Sequence, residues 1–174
     1  MSDALHLDAL ATVDAFEVGP RRYNFLEFLG NHPDAMSRSC AHGHLTASAL
    51  IIDPERGTAL LMLHRKVGRW LQMGGHCEEG DRSVRDAAAR EAREESGIDG
   101  LVLTAAPVSL DRHALRCDAR DLDHLDVQYL AVAPPGSVPV ANDESLGLRW
   151  FHYDDVPTDD GAVTRMVEAA RVLD

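Results

Sequence analysis

Three glutamates within one helical turn, Glu91, Glu94 and Glu95, are the residues of this sequence that most clearly indicate chemistry. Side chains three and four residues apart lie next to one another on a helix, so these carboxylates would repel each other. Holding them against a packed surface costs several kcal/mol unless a cation or a proton intervenes. Clustered carboxylate oxygens suit Mg²⁺ or Mn²⁺, which also bind phosphates and water. The spacing therefore predicts a site for a divalent cation.

A helix over residues 84–96 would carry these glutamates. Ser83 and Asp86 have the spacing of a capping box, and Gly97 provides a left-handed stop before the apolar Ile98. At 3.6 residues per turn, Glu91 and Glu95 fall within the apolar stripe and Glu94 lies on its edge. The stripe is formed by Val84, Ala87, Ala88 and Ala92. The helix would therefore direct the carboxylates of Glu91 and Glu95 toward the interior of the protein.

The alternative is an ordinary charged surface helix, in which Glu91 would pair with Arg90 and Glu94 with Arg93. Residues adjacent in sequence do not face each other on a helix, so we do not expect these pairs. The cation site is the better interpretation.

The surrounding motif resembles a known one. Gly75 is followed after five residues by Asp81, then after eight residues by REAREESGI at positions 90–98. This run resembles the Nudix box, in which glycine is followed after five residues by glutamate and, after seven more, by R-E-apolar-x-E-E-x-G-apolar. The second half matches at every specified position. Asp81 replaces the glutamate and one residue is inserted, which leaves its contact with Arg90 open, although the insertion gives the shorter acid additional reach.

The resemblance implies an α/β fold, a Nudix-type α/β/α sandwich with a mixed β-sheet. Residues 42–174 would form this domain, and residues 1–41 an N-terminal helical extension packed on it. The resemblance also implies that Glu91, Glu94 and Glu95 bind Mg²⁺, or Mn²⁺ as a substitute, together with the carbonyl oxygen of Gly74. Arg90 would orient these ligands.

The activity implied by the resemblance is the attack of water on a pyrophosphate bond, with the metal neutralising the developing charge. A carboxylate must accept the proton from water. Glu91 is the first candidate for this base, and Glu144, on a loop just before a predicted strand, is the second. A solvated turn is an equally good interpretation of Glu144.

A cationic cluster before Trp70, in an otherwise acidic chain, is the candidate substrate-binding segment. It consists of His64, Arg65, Lys66 and Arg69. These side chains could hold a distal phosphate and Trp70 could stack on a base. Equally, the segment could be an exposed hairpin turn in which the charges only face solvent, with Trp70 in the core.

Histidines and cysteines are scattered through the chain without any regular zinc spacing, so the sequence does not predict a structural zinc site. His113, His124 and Asp126 could line a pocket. They could equally be polar residues at the edges of strands.

The chain has 174 residues and a net charge of −12, which suits one globular domain and argues against binding to nucleic acid or to an anionic membrane. The three cysteines form no C-x-x-C motif, and no signal peptide or membrane span is visible. We therefore expect a cytoplasmic protein. A homodimer would be common for the family.

Alternating and apolar segments predict five strands and two helices around the box. The strands are at residues 44–53, 58–64, 101–108, 124–133 and 148–153. The helices are at residues 23–29 and, with an amphipathic pattern, from residue 163 to 170.

The substrate expected from the resemblance is a nucleoside diphosphate linked to another moiety. Nucleotide sugars, ADP-ribose, dinucleoside polyphosphates and modified nucleoside triphosphates belong to this group. Two alternatives share the fold: an enzyme similar to isopentenyl-diphosphate isomerase, for which Cys77 would be the catalytic cysteine, and a non-catalytic nucleotide-sensing domain. The complete set of glutamates favours the hydrolase.

Overall fold

Strand β1 (His44–Asp53) lies at the centre of the sheet in the computed structural model, which describes residues 3–117, 120–143 and 145–173. On one side β1 pairs antiparallel with β2 (Thr58–His64) and β4 (Met73–His76). On the other side it pairs parallel with β7 (Arg120–Val132) over nine residues. One parallel and several antiparallel pairs make the sheet mixed, as expected.

Four further strands extend the sheet. Strands β3 (Trp70–Leu71) and β8 (Ser145–His152) pair with β2, while β5 (Val102–Leu103) and β6 (Ser109–Cys117) pair with β7. The described residues thus contribute eight strands to one sheet.

The two faces of the sheet are covered by different helices, because side chains alternate along each strand. Leu45, Ala47 and Ala49 of β1 belong to one hydrophobic cluster, which includes residues of α1 (Asp3–Asp14), α2 (Pro20–Asn31) and α3 (Val84–Ser96). Leu50 and Ile52 belong to a second cluster with α4 (Gly161–Ala170). The observed architecture is the expected α/β/α sandwich.

Helix α3 begins and ends where the sequence predicts. The side chain of Ser83 accepts a hydrogen bond from the Asp86 amide at 3.0 Å, and Gly97 ends the helix with a φ of 66°. A left-handed φ of this kind favours glycine. The local capping residues therefore predict both ends of this helix correctly.

The N-terminal helices reach the same helix from outside. Leu5 and Val13 of α1 are buried in the cluster that holds α3, and Asp8 accepts a hydrogen bond from the Val84 amide at 2.7 Å. A carboxylate at a helix N-terminus is stabilised by free N–H groups and by the helix dipole. The first turn of α3 therefore has two caps, one local and one from α1.

The sequence prediction for the remaining elements was partly right. Strands 44–53 and 58–64 are confirmed to the residue, and the helix at 23–29 and the C-terminal helix lie within α2 and α4. The strand predicted at 101–108 is wrong beyond β5, because a loop with Pro107, which has no N–H for a ladder, follows. Strand β6 was not predicted, since its polar sequence SLDRHALRC has few strand signals. Strands β7 and β8 begin earlier than predicted.

None of the described helices combines the length and the hydropathy required to cross a bilayer.

Replacing Asp8 with alanine should lower the free energy of unfolding by about 1 kcal/mol, because the Val84 amide loses its acceptor at the start of α3. Urea denaturation measures the change. Glu27→Ala, at an exposed position on α2, is the matched control and should leave stability within about 0.5 kcal/mol of the parent. Equal stability of Asp8→Ala and the parent would show that α1 does not stabilise α3 through this bond.

Candidate functional site

Arg90 holds together the segment before α3 and the acidic residues on it. Its Nε and one terminal nitrogen donate to the two carboxylate oxygens of Asp81 at 3.1 and 3.0 Å, a bidentate pair. The same terminal nitrogen donates to the carbonyl oxygen of His76 at 2.9 Å. The other donates to Glu91 at 2.9 Å and to Glu94 at 3.3 Å. One side chain thus connects β4, the loop and α3.

The pair of Asp81 and Arg90 resolves what the sequence left open. Asp81 is buried and also accepts a hydrogen bond from the Glu78 amide at 2.7 Å. Burial by itself would lower the pKa of Arg90, but hydrogen bonds to Asp81 and Glu91 outweigh it and raise the pKa above its usual value. The aspartate therefore makes the contact, and the inserted residue provides the reach that its shorter side chain lacks.

One expectation about α3 was wrong. The terminal nitrogen of Arg90 contacts the adjacent Glu91, although residues next to each other in sequence point in different directions from a helix. The contact is made because the long arginine side chain is held back toward β4 by Asp81 and His76, where Glu91 also lies. The other pair considered, Arg93 with Glu94, is not among the ion pairs of the described residues.

The three glutamates are exposed to very different degrees. The side chain of Glu94 is 50% exposed and that of Glu91 15%, while Glu95 as a residue is only 3% exposed. Glu95 accepts a hydrogen bond from the Gly74 amide at 2.8 Å, which holds its carboxylate against β4. The predicted orientation, with Glu91 and Glu95 inward and Glu94 at the edge, is confirmed.

Gly74 and Gly75 allow β4 to approach its neighbours closely. A Cβ atom on Gly75 would lie 2.6 Å from Oε1 of Glu91, and one on Gly74 would lie 2.3 Å from the Cβ of Ser48. Both glycines belong to a strand paired with β1. At Gly75, a side chain would occupy the space that the Glu91 carboxylate fills.

The residues present fit a hard divalent cation. Three carboxylates within one turn of α3, next to a strand that has no side chain at Gly74 or Gly75, offer the oxygen donors that such an ion prefers. Glu91, Glu94 and Glu95 would be the ligands. The carbonyl oxygen of Gly74 stays a prediction, since the contact observed for this residue is through its amide.

The loop before β8 lies against α3. Asn142 donates to the Glu94 carbonyl oxygen at 3.3 Å, and the Val140 amide donates to the Ser96 carbonyl oxygen at 2.8 Å. Glu144, the second candidate for the catalytic base, lies outside the described residues.

The residues of the cationic cluster that was predicted to bind substrate contact different parts of the protein. Arg65 donates to the carbonyl oxygens of Asp143 and Ser145, and Arg69 donates to Asp159 at 2.6 Å. His64 accepts hydrogen bonds from the Lys66 and Val67 amides, in the hairpin turn that was the alternative interpretation. A role of these residues in substrate binding stays a prediction.

Trp70 packs edge-on against Phe151, with ring centroids 5.0 Å apart, beside the second hydrophobic cluster. It also lines a surface groove of about 370 Å³ with Arg69 and Asp159, and no residue of this groove belongs to the glutamate motif. Stacking of Trp70 on a base therefore stays a prediction, and its packing against the core is observed.

A polar area occupies part of the sheet face that α4 covers. Strand β1 contributes His44, Thr46 and Ser48, and β7 contributes His124, Asp126 and Gln128 directly opposite them. Asp126 accepts hydrogen bonds from Thr46 at 3.0 Å, Ser48 at 2.6 Å and Gln128 at 2.8 Å. Burial nevertheless raises its pKa above the usual value.

Burial also sets the charge of two histidines in this area. It lowers the pKa of His76 to about 3 and that of His124 to about 4, with the charges of Arg38 and His44 acting in the same direction. At the rim, the hydrogen bond to Asp111 raises the pKa of His113 above its usual value. The rings of His76 and His124 are therefore neutral at neutral pH.

Sequence reasoning identified His113, His124 and Asp126 as possible pocket residues but missed most of the area around them. His44, Ser48 and Gln128 are buried polar residues on the same face. A signal was present, because polar residues occupy alternate positions in the first half of β1 and in the middle of β7, before an apolar run in each strand. Alternation of this kind indicates one polar and one apolar face.

The sequence matches a known family model, and the fold is similar to those of several solved structures. The model of the NUDIX domain family matches residues 42–171. A crystal structure of a NUDIX family hydrolase from Clostridium perfringens is 23% identical, with a TM-score of 0.62, and covers 75% of this chain and 98% of its own. The dihydroneopterin triphosphate pyrophosphohydrolase of E. coli is 19% identical, with a TM-score of 0.62, covering 72% and 92%. An Ap4A hydrolase of C. elegans, in a binary complex, is 17% identical, with a TM-score of 0.58, covering 71% and 92%.

Replacing Arg90 with lysine should lower the free energy of unfolding by about 2 kcal/mol, because an ammonium group cannot make the bidentate pair with Asp81 and reach His76 and Glu91 as well. Chemical denaturation measures the loss. Arg82→Lys is the matched control, since the Arg82 side chain is 90% exposed and should tolerate the change. Unchanged stability of Arg90→Lys would contradict the central role given to the guanidinium.

Proposed function

The chain belongs to the NUDIX family, and we propose that this pyrophosphohydrolase uses Mg²⁺ to cleave a nucleoside diphosphate linked to another moiety. The observation that carries the proposal is the set of Glu91, Glu94 and Glu95 beside the glycine strand, connected to it by Arg90 and Gly74. Mn²⁺ is a possible substitute, because it accepts the same oxygen donors.

The residues of the site have different roles in binding the metal ion and the substrate. Glu95 is buried and anchored on the Gly74 amide, so it is a fixed ligand, whereas Glu94 is half-exposed and can meet a substrate arriving from solvent. Arg90 keeps the carboxylates of Glu91 and Glu94 in place. When bound, the metal ion neutralises charge on the phosphates and orients the attacking water.

Two carboxylates are candidates for the base that accepts the proton from water. Glu91 is the first, because it is mostly buried and lies where β4 has no side chain. Glu144 is the second, because the residues around it contact the end of α3. A base must come within hydrogen-bonding reach of the water that it deprotonates.

The charge of the chain supports a phosphate substrate bound through a cation. With 17 basic and 29 acidic residues, the protein would repel a polyphosphate unless a metal ion lay between them. The same charge supports the expectation that nucleic acid and anionic membranes are not partners. A cytoplasmic location is supported by Cys40 and Cys77, which are free thiols, and a homodimer stays a prediction.

The substrate class is proposed from the names of two hydrolases with a similar fold. The E. coli relative is named for dihydroneopterin triphosphate and the C. elegans relative for Ap4A. A modified nucleoside triphosphate and a dinucleoside polyphosphate are therefore the first two classes to test. Nucleotide sugars and ADP-ribose complete the set.

An isomerase activity is disfavoured by the position of Cys77. The residue is only 4% exposed and belongs to the hydrophobic cluster that includes Val84 and Ala87 of α3. Burial, with the charge of Asp81, raises the pKa of its thiol to about 12. A neutral thiol in the core is a poor candidate for proton transfer to a substrate.

A sensing domain without activity is the other alternative, and the complete set of box glutamates argues against it. Assays of the four substrate classes with Mg²⁺, with Mn²⁺ and with EDTA distinguish the two functions. Metal-dependent turnover of one class would support the hydrolase. Metal-dependent nucleotide binding without turnover would identify a sensing domain.

Replacing Glu94 with glutamine should lower kcat on the best substrate by about 100-fold or more, because a carboxylate ligand becomes a neutral amide. The free energy of unfolding should change by less than about 0.5 kcal/mol, since the side chain is half-exposed. Glu79→Gln, at an exposed position before the helix, is the matched control and should turn over substrate at the parental rate. Equal activity of Glu94→Gln and the parent would remove Glu94 from the metal site.

A further inference from the structure

Three histidine rings meet on the sheet face that α4 covers, away from the box glutamates on the opposite face. His44 and His124 are directly opposite each other on β1 and β7, and His76 on β4 is opposite Thr46, on the same face as His44. The ring centroid of His44 lies 4.7 Å from that of His76 and 4.5 Å from that of His124. The ring centroids of His76 and His124 are 5.4 Å apart.

The nitrogen atoms of these rings converge. One nitrogen of each ring lies within 4.8 Å of the other two, and the Nε2 atoms of His44 and His76 are 2.8 Å apart. Bonds of 2.0–2.1 Å in a tetrahedral site place ligand nitrogens about 3.4 Å from one another. The observed separations, 2.8 Å for one pair and no more than 4.8 Å for the others, lie on either side of this distance.

We propose that His44, His76 and His124 form a binding site for a transition-metal dication, with Zn²⁺ as the expected occupant. Imidazole nitrogen is a preferred ligand of zinc, whereas Mg²⁺ prefers oxygen. The site is distinct in chemistry from the carboxylates of α3, and the proposal does not depend on the hydrolase activity.

The site is built on rigid elements. Each ligand belongs to a different strand, the three strands are hydrogen-bonded neighbours, and His44 and His124 are only 1% and 6% exposed. Ligands on strands keep their positions better than ligands on loops, which lowers the entropy that metal binding must overcome. The ion would connect β1, β4 and β7 at one end of the sheet.

Three protein ligands leave the fourth tetrahedral position open, as in catalytic zinc sites. The neighbouring residue on this side is His113, whose ring centroid is 5.6 Å from that of His124 and whose Nδ1 contacts Asp111 at 3.0 Å. A histidine paired with a carboxylate is a common arrangement around protein metal ions. Water, an anion or His113 could complete the coordination.

Some of the charges around the three histidines oppose the binding of a cation, and others favour it. Arg38 acts on His76 and His124 as a positive charge, which opposes a cation. Asp123 acts on His124 with the opposite sign, and Asp126, two residues along β7, lies on the same face. The positive charge of Arg38 therefore favours an anionic fourth ligand, such as hydroxide or a phosphate oxygen.

A second group of possible ligands provides an internal control. His32, Asp34 and Cys40 also have ligand atoms within 4.8 Å of one another, in the connection between α2 and β1. Asp34 in this group is exposed. We favour the three-histidine group because its ligands are on the sheet and are of one preferred type.

The test is a titration of the full chain with Zn²⁺, after removal of metals by a chelator, in competition with a chromophoric zinc indicator. We expect one equivalent to bind tightly. His76→Asn and His124→Ala should each weaken binding by about 100-fold or more, while Cys40→Ser and Glu94→Gln should bind as the parent does. X-ray absorption of the loaded protein should show three or four nitrogen or oxygen neighbours at about 2.0–2.1 Å and no sulfur.

Four results would overturn the proposal: no stoichiometric binding by the parent, parental affinity in a correctly folded His76→Asn or His124→Ala, loss of binding in Cys40→Ser with sulfur in the absorption spectrum, or loss of binding in Glu94→Gln. Circular dichroism and thermal melting verify folding. If His124→Ala does not fold, His76→Asn, at a less buried position, decides the question. An inactive protein that binds zinc in this way would contradict the hydrolase alone, whereas zinc binding that Glu94→Gln abolishes would assign the ion to the box.

Discussion

The ion pair between Arg90 and Asp81 is the interaction on which the candidate catalytic site depends. The box glutamates are useful only if a strand without side chains, a loop and a helix keep fixed positions relative to one another. Arg90 contacts all three through Asp81, the His76 carbonyl oxygen and Glu91. Because Asp81 is buried and is also held by the Glu78 amide, the pair is less affected by solvent than a surface ion pair. The same guanidinium relieves repulsion between the carboxylates of Glu91 and Glu94.

Additional contacts fix the helix that carries these glutamates. Ser83 and Asp8 accept hydrogen bonds from its first turn, the Gly74 amide holds Glu95, and Asn142 contacts the carbonyl oxygen of Glu94. These partners come from α1, from the sheet and from the loop before β8. The N-terminal helices thus contribute to the position of the box helix although they precede the matched family region.

The two faces of the sheet have different chemistry. On the face toward α3, residues of β1 and β7 are apolar and pack in the core, while part of the opposite face is a buried polar area centred on Asp126 and three histidines. Burying so many polar groups costs free energy unless hydrogen bonds or an ion compensate. Asp126 accepts several hydrogen bonds, and the Nε2 atoms of His44 and His76 lie within hydrogen-bonding distance of each other. A buried polar area of this kind is a feature that the box by itself does not imply.

The sequence alone determined the box helix to the residue, the inward orientation of Glu91 and Glu95, two strands and the family. These features depend on interactions within a few residues: helical periodicity, a serine cap, a glycine stop and a contiguous motif. Only the tertiary structure decided that Asp8 caps α3, that Arg90 reaches Glu91, and that His44, His76 and His124 meet. Their sequence separations of 32 and 48 residues carry no motif, because the register of β1 against β4 and β7 brings them together. Strand pairing is a non-local choice, and one residue of slip would turn each histidine to the other face.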